Sequence, residues 1–164
     1  MSRDRLLDWL PEYREAGGKV IFDNNYRPRL WSSTDAARAC YRELYAMTDI
    51  ALPTFDDECL VFGPSSEDAC LERLLEAGVS DIALKLGAQG CRVRTNSEDQ
   101  RISAYSVTAK DTTAAGDSFN AGFLARRLAG EMLAASADFG CRLASIVVQH
   151  PGAIIDKELL SDLE

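Results

Sequence analysis

The chain has 164 residues, a net charge of −8, 46% hydrophobic residues and 27% charged residues. This composition is ordinary for one soluble globular domain, and the acidity argues against nucleic acid as a partner. No apolar run approaches membrane-spanning length, and the N-terminus Met-Ser-Arg-Asp-Arg is no signal peptide. We therefore expect no membrane partner and take the cytoplasm as the default localisation.

Cysteine and histidine usage excludes several chemistries. The five cysteines are odd in number and never spaced as C-x-x-C, so neither a disulfide framework nor a zinc site is indicated. We expect small core residues at Cys40, Cys59, Cys70, Cys91 and Cys141. His150 is the only histidine and precedes a proline, which excludes most Ser-His or Cys-His schemes.

The first half of the chain alternates helical patterns with buried strands. Helices are predicted over residues 4–16, over 32–47 with Thr34 as a cap, and over 66–77, together with an acidic helix start at 54–58. Buried strands are predicted over residues 19–23 and 48–52. This alternation is typical of an α/β fold.

The second half begins with a hairpin and ends in helices. Strands over 82–86 and 91–95 flank Gly87-Ala-Gln-Gly90, and a further strand is predicted over 102–107. Alanine-rich helices are predicted over 114–129 and 132–149, and a short helix over 156–163. The whole pattern predicts a mostly parallel sheet with an antiparallel edge hairpin.

The stretch from Lys110 to Gly122 predicts a phosphate cradle with a base. Thr112 or Thr113 is a favourable N-cap, and the small residues Ala114 to Gly116 would leave first-turn N–H groups open to an anion. Asp117 lies in the same turn, where the helix dipole stabilises a carboxylate. The alternative is a plain helix start with a capping threonine and an acid placed for the dipole.

Asp111 to Asp117, followed by Phe119 and Gly122, resembles the second signature of ribokinase-like carbohydrate kinases of the phosphofructokinase B type, D-T-x-G-A-G-D. Ala114 replaces the usual first glycine but keeps its N–H. The resemblance implies a three-layer α/β/α fold and the use of ATP and Mg²⁺. It also implies that Asp117 is the catalytic base and that the amides of Ala114, Ala115, Gly116 and Asp117 form the anion hole.

A second informative stretch is the loop from Asp23 to Trp31. Its two arginines and two asparagines could clamp a carboxylate and bind sugar hydroxyls, although a solvated basic loop explains them as well. The pattern D-x-N-x-R-x-x-L-W resembles the 2-keto-3-deoxygluconate kinase branch of the family. The resemblance implies a sugar-acid substrate, with Arg27 on its carboxylate and Asn25 and Asp117 also in contact.

Other family positions carry cofactor predictions. Thr54 to Asp57 stands where relatives carry N-x-x-E, which implies a water-mediated Mg²⁺ role for Asp57; an acidic helix start is the alternative. Lys85-Leu-Gly-Ala-Gln-Gly90 resembles the nucleotide segment, in which Lys85, Gly87 and Gly90 would border ATP phosphates, and a plain hairpin is the alternative.

Two further sets of residues follow from the resemblance. Ser145 and Gln149 lie on the helix that flanks the adenine pocket in relatives. Gly152 and Ala153 match a pattern that helps to hold a monovalent cation such as K⁺ together with Asp111 and Thr113.

The resemblance implies phosphorylation of 2-keto-3-deoxygluconate to its 6-phosphate. A fructokinase-like sugar kinase is one alternative. Because the pattern covers only the C-terminal half of relatives, residues 1–164 are expected to be a single nucleotide-binding and catalytic portion, without the N-terminal part and lid. The other alternative is a truncated fragment that binds nucleotide without activity. Such a fragment could form a homo-oligomer to cover its exposed sheet edges.

Overall fold

The structure, a computed structural model, describes residues 3–163. The α-helices of this range are α1 (Arg3–Glu15), α2 (Thr34–Ala46), α3 (Phe55–Phe62), α4 (Glu67–Glu76), α5 (Ala115–Leu128) and α6 (Leu133–Val147). The strands are β1 (Ile21–Phe22), β2 (Ile50–Ala51), β3 (Asp81–Lys85), β4 (Cys91–Arg94) and β5 (Asp99–Ile102). Short 3-10 helices cover Pro28–Leu30, Gly87–Gln89 and Lys157–Leu163.

The strands form a five-stranded sheet in the order β1-β2-β3-β4-β5. β1 pairs in parallel with β2, and β2 pairs in parallel with β3. β3 and β4 are joined by the short turn around Gly87–Gln89. The predicted α/β class, with parallel strands and a hairpin, is therefore confirmed.

Residue contacts divide the chain into two compact units. Unit 1 comprises Met1–Leu84 and Arg94–Glu98, and unit 2 comprises Lys85–Val93 and Asp99–Glu164. Each unit has its own buried core.

In unit 1 the core lies around the first parallel strands. Residues Ile50 and Ala51 of β2 are buried on both sides, as expected for a parallel strand covered by helices. Phe22 packs edge-on against Tyr41 and Tyr45 of α2, with ring centroids 5.2 and 5.1 Å apart. Such edge-to-face packing is a preferred arrangement of aromatic side chains and fixes the end of β1 against α2.

In unit 2 the helices α5 and α6 pack closely through small residues. Gly122 and Gly140 are both buried, and a Cβ built on Gly122 would lie 3.1 Å from the Cα of Gly140. Arg92 of β4 and Asp99 of β5 form a bidentate salt bridge, with N···O distances of 2.8 and 2.7 Å. The close helix contact sets the position of the start of α5.

Several predicted elements are corrected by the structure. Helix α2 is capped by Ser33, whose hydroxyl accepts the N–H of Ala36 at 3.1 Å, and not by Thr34. The predicted strand over 102–107 is wrong beyond Ile102, because no described strand pairs with residues 103–109. Strand β5 overlaps the prediction only at Ile102, and residues 99–101 were missed because Asp-Gln-Arg-Ile has no apolar alternation.

Smaller corrections concern the chain end and the thiols. The predicted helix over 156–163 is a 3-10 helix, Lys157–Leu163. All five cysteines are free, and four are buried as predicted, whereas Cys59 is exposed on α3. No helix in residues 3–163 has the length and apolar character needed to cross a membrane.

Candidate active site

A cavity of about 470 Å³ opens in unit 2 beside the start of α5. Four segments line it: the turn after β3, the irregular segment that follows β5, the first turns of α5, and α6. The lining residues include Lys85, Gly87, Gly90, Tyr105, Val107, Thr112, Ala115, Gly116, Phe119, Cys141, Ala144, Ser145 and Val148. Most of these side chains are small or apolar, with a few polar groups among them, which is the character of a ligand site.

The turn before α5 differs from the predicted threonine cap. The N-cap residue is Ala114, with φ 59° and ψ 17°, and no side chain caps the helix. Ala115 donates its N–H to the carbonyl of Thr112 at 3.2 Å, so the chain closes a tight turn before the helix begins. The threonines were predicted to cap from propensity alone. The turn needs a left-handed residue at this position, a conformation that favours glycine over alanine.

The first turn of α5 leaves donors available to an anion. Within the described residues the N–H groups of Gly116 and Asp117 have no hydrogen-bond acceptor, as is usual for donors in the first turn of a helix. The N–H of Ala115 is engaged by Thr112, so it contributes less than predicted. The carboxylate of Asp117 is exposed in the same turn. The Asp117 carboxylate, which can accept a proton, therefore lies beside open N–H groups at the positive end of the helix dipole.

Lys85 brings a cation to the same place. Its side chain is buried, with 7% exposure, and Nζ donates to Oδ1 of Asn120 at 3.2 Å. Nζ also lies 3.6 Å from the point where a Cβ on Gly116 would stand. Because Asn120 is one helical turn beyond Gly116, it anchors the ammonium group over the amides of α5. An anion at these amides would meet a positive charge as well.

The glycine turn after β3 borders the cavity. Gly87 has φ 58° and Gly90 has φ 93°, both in the left-handed region. A Cβ on Gly90 would collide with the backbone of Ile102 and Ala104, so only glycine fits there. Ser145 also lines the cavity, and its hydroxyl donates to the carbonyl of Arg142 at 2.7 Å. Gln149 is not a lining residue, and its amide donates to the carbonyl of Ser145 at 2.9 Å.

Asp111 fixes the turn that leads into α5. Its carboxylate accepts the N–H of Thr113 at 2.9 Å and the N–H of Gly152 at 2.8 Å. Hydrogen bonds from the hydroxyl and N–H of Thr113, and from the N–H of Gly152, lower the pKa of Asp111 from 3.8 to about 2. Asp111, Thr113 and Gly152, which were predicted to hold a cation with Ala153, are therefore brought together by the fold.

Unit 1 contains the loop from Asp23 to Trp31, which was predicted to bind a sugar acid (the sugar-acid loop). Asn25 is exposed with φ 30°, in the left-handed region, and Arg27 is exposed as well. Among described residues, the guanidinium of Arg27 contacts only the carbonyl of Tyr26, at 3.0 Å. Its outer face can therefore receive a carboxylate.

Asp57 lies at the start of α3 in the same unit. Its Oδ2 accepts the N–H of Tyr26 at 3.0 Å, which ties α3 to the sugar-acid loop. Within residues 3–163 no group of three or more His, Cys, Asp or Glu side chains converges as a metal cage. A magnesium ion that keeps most of its waters needs only one or two carboxylates, so Asp57 fits that mode of binding.

Asn120 and Glu58 were not singled out from the sequence. Asn24 was predicted, with Asn25, as a loop asparagine that could bind sugar hydroxyls, but its amide is buried and makes four hydrogen bonds within the protein. Asn120 could have been found from its spacing of four residues after Gly116 on a predicted helix. Asn24 and Glu58 are buried, with 3% and 0% exposure, and they hydrogen-bond to each other at 3.1 Å. No one-dimensional pattern brings these two together, since they are 34 residues apart.

Lys85, the glycine turn and Gly116 border one cavity, and the exposed Asp117 follows Gly116 in the same helical turn. This arrangement has the donors and the positive charge that a phosphate group requires. The chain also matches the family model described as "pfkB family carbohydrate kinase" over residues 2–159. It therefore belongs to the pfkB family of carbohydrate kinases, which confirms the resemblance seen in the sequence.

Curated relatives agree with this assignment. A 2-dehydro-3-deoxygluconokinase of Escherichia coli (strain K12) is 43% identical over 163 residues, which cover 97% of this chain and 53% of the relative. An enzyme of the same name from Dickeya dadantii (strain 3937) is 45% identical, with the same shares covered. The chain thus spans about half the length of the curated relatives it matches.

Solved structures show the same fold. Fructokinase from Vibrio cholerae O395, bound to fructose, ADP and calcium, superposes with a TM-score of 0.87 at 23% identity, over 99% of this chain and 56% of that one. Aminoimidazole riboside kinase from Salmonella enterica, complexed with aminoimidazole riboside and an ATP analog, gives a TM-score of 0.82 at 26% identity, over 94% and 55%. These neighbours establish a ribokinase-like three-layer α/β architecture.

Proposed function

We propose that this chain is the nucleotide-binding and catalytic portion of a kinase that transfers the γ-phosphoryl group of ATP to the 6-hydroxyl of 2-keto-3-deoxygluconate. The observation that carries the proposal is the start of α5, where the exposed carboxylate of Asp117 follows the cavity-lining Gly116 and the N–H groups of both residues are open. Phosphoryl transfer needs mainly positioning and electrostatic stabilisation, and these groups supply both.

Each group of unit 2 has a role in the proposed reaction. Asp117 accepts the proton of the attacking hydroxyl group. The amides of Gly116 and Asp117 hold the charge that develops on the phosphoryl oxygens, with Lys85 adding a positive charge held by Asn120. The glycine turn lets phosphates approach the backbone, while the apolar wall near Val107, Ala144 and Val148 receives the base.

Bound ATP supplies the phosphoryl group, and a hydrated Mg²⁺ held through Asp57 would neutralise its charge. Asp111, Thr113, Gly152 and Ala153 are proposed to border a monovalent cation. The two N–H donors that already occupy the Asp111 carboxylate keep it ionised. We place the enzyme in the cytoplasm and leave a homo-oligomer as a proposal.

The sugar-acid assignment rests on the loop of unit 1 and on the relatives. Arg27 presents an exposed guanidinium, a group that pairs with carboxylates through two parallel hydrogen bonds. The relatives that cover 97% of this chain at 43–45% identity are named 2-dehydro-3-deoxygluconokinases, another name for kinases of the same sugar acid. A neutral hexose would leave Arg27 without its partner.

The substrate proposal is tested by a coupled ADP-release assay with 2-keto-3-deoxygluconate and with fructose. We expect Arg27→Ala to lower kcat/KM for the sugar acid by roughly 10- to 100-fold, because a hydrogen-bonded charge pair is lost. Arg29→Ala is the matched control, since Arg29 is an exposed arginine of the same loop. Equal effects of the two variants, or a preference for fructose, would overturn the sugar-acid assignment.

The same assay decides between an enzyme and a nucleotide-binding fragment. Thermal shift with Mg·ATP reports binding without turnover, because a ligand that binds only the native state raises its stability. Binding of Mg·ATP together with ADP release dependent on the sugar acid supports the kinase. Binding without ADP release would show that this chain alone is a binding fragment.

A further inference from the structure

The side chain of Asn24, two residues after β1, is buried. Its Oδ1 accepts the N–H of Asn25 at 2.8 Å and the N–H of Thr54 at 3.1 Å. Its Nδ2 donates to the carbonyl of Thr54 at 3.2 Å and to Oε1 of Glu58 at 3.1 Å. One amide group therefore joins the sugar-acid loop to the start of α3 through four hydrogen bonds.

The backbone next to Asn24 is held in a conformation that it would not choose unaided. Asn25 has φ 30°, in the left-handed region, where non-glycine residues persist only when their surroundings fix them. The bond from the Asn25 N–H to the side chain of Asn24 is one such restraint. A second is the hydroxyl of Tyr41, which donates to the backbone carbonyl of Asn24 at 2.5 Å. These restraints set the direction of the Asn25 side chain.

Glu58 accepts a hydrogen bond from the side-chain amide of Asn24. The carboxylate of Glu58 is fully buried and receives the hydroxyl of Tyr45 at 2.6 Å as well as the guanidinium of Arg73. Arg73 in turn lies over the ring of Phe62, 3.8 Å from its centroid. Every member of this network belongs to unit 1, and Asn24, Tyr45 and Glu58 are buried. The acceptor offered to Asn24 is thus fixed in place.

A buried ion pair is weak evidence for stability, because apolar side chains of similar volume often stabilise a protein as well or better. What Glu58 and Arg73 provide beyond apolar packing is a directional acceptor. That acceptor faces the one amide that sets the turn at Asn25.

We infer that Asn24 and Glu58 are positioning residues for the sugar-acid loop, with Glu58 orienting Asn24 and Asn24 fixing the backbone of Asn25 to Arg27. The functional half of this inference rests on the proposed sugar-acid function. Its structural half concerns the loop alone and holds with or without activity.

The structural half is tested by amide hydrogen exchange on the full chain. In Asn24→Ala, exchange of the Asn25 and Thr54 N–H groups should accelerate by about tenfold or more, since both lose their acceptor. The second variant, Tyr45→Phe with Glu58→Met and Arg73→Leu, replaces the network by apolar groups and should accelerate the same amides while the protein remains folded. Unchanged exchange at Asn25 in either folded variant overturns the inference.

The functional half is tested by steady-state kinetics. Both variants should raise KM for 2-keto-3-deoxygluconate roughly 10- to 100-fold and leave KM for ATP unchanged. Ser66→Ala, which removes the cap of α4 in the same unit, controls for general destabilisation and should leave both KM values unchanged. A rise of both KM values together, or a Ser66→Ala effect of equal size, shows a merely structural role. If the wild type releases no ADP, the proposed function fails, and hydrogen exchange still decides the positioning role.

Discussion

Ala114 occupies a backbone position that favours glycine. Its backbone, with φ 59°, lies in the left-handed region, a conformation that costs an L-residue roughly 1–2 kcal/mol. The carbonyl of Ala114 nevertheless accepts the N–H of Ser118 at 2.9 Å, so the turn and the start of α5 form as the site requires. The surrounding structure therefore holds Ala114 in a left-handed conformation that alanine disfavours.

Ala114→Gly is expected to raise the free energy of unfolding by up to about 1 kcal/mol, because relief of the left-handed strain exceeds the added entropy of the unfolded chain. The neighbouring Ala115→Gly, at the first residue of the helix, should lower it by up to about 0.5 kcal/mol, less than glycine costs in the middle of a helix. Urea unfolding of the two variants measures both changes. Equal losses in the two would contradict the left-handed conformation.

Asp111 gives the site a pH-dependent restraint. Its pKa is about 2 in the folded protein, held down by Thr113 and Gly152, against 3.8 as its ordinary value. A lowered pKa means that its contribution to stability is complete above pH ~4 and is lost as the pH falls through about 2. The stability difference between the wild type and Asp111→Asn should therefore shrink over this window. A difference that stays constant from neutral pH down to pH ~2 would contradict the hydrogen bonds assigned to its carboxylate.

Among the elements, α5 and α6 depend on glycine where they touch. A Cβ on Gly140 would lie 2.8 Å from the backbone oxygen of Phe119 and 3.0 Å from its ring. A Cβ on Gly122 would lie 3.1 Å from the Cα of Gly140 and 3.2 Å from the ring of Phe139, distances that a small shift of the neighbouring atoms can relieve. The first contact is with backbone, which cannot move without shifting α5.

Gly140→Ala should therefore cost about 1–3 kcal/mol of unfolding free energy, in spite of the better helix propensity of alanine. Gly122→Ala should cost less. Chemical denaturation ranks the two variants directly. A Gly140→Ala protein as stable as the wild type would show that the helices are farther apart than described.

Elements with strong periodicity could be predicted from the sequence, and polar edge segments could not. The alanine-rich helices α5 and α6 and the glycine hairpin were predicted close to their observed bounds. Strand β5 was not predicted, because its Asp-Gln-Arg-Ile sequence is mostly exposed and has no hydrophobic alternation. Residues 103–107 were predicted as part of a strand that includes Tyr105 and Val107, but both are exposed residues that line the cavity.

On the scale of the whole molecule, family membership and the α5 site could be predicted because one contiguous motif carries them. The buried pair Asn24 and Glu58 could not, since tertiary packing alone joins residues so far apart in the chain. The left-handed Ala114 was likewise hidden, because propensity favoured a threonine cap. The chain spans about half the length of its curated relatives, so the activity of the complete site remains the proposal to be measured.

The decisive measurement is ADP release dependent on 2-keto-3-deoxygluconate, compared between the wild type and Asp117→Asn. We predict a turnover lower by about 10² to 10⁴ in the variant, because its amide cannot accept the proton of the attacking hydroxyl. The thermal shift with Mg·ATP should be retained, since the N–H groups at positions 116 and 117 are unchanged. An Asp117→Asn protein with nearly wild-type turnover would contradict the assignment of Asp117 as the base.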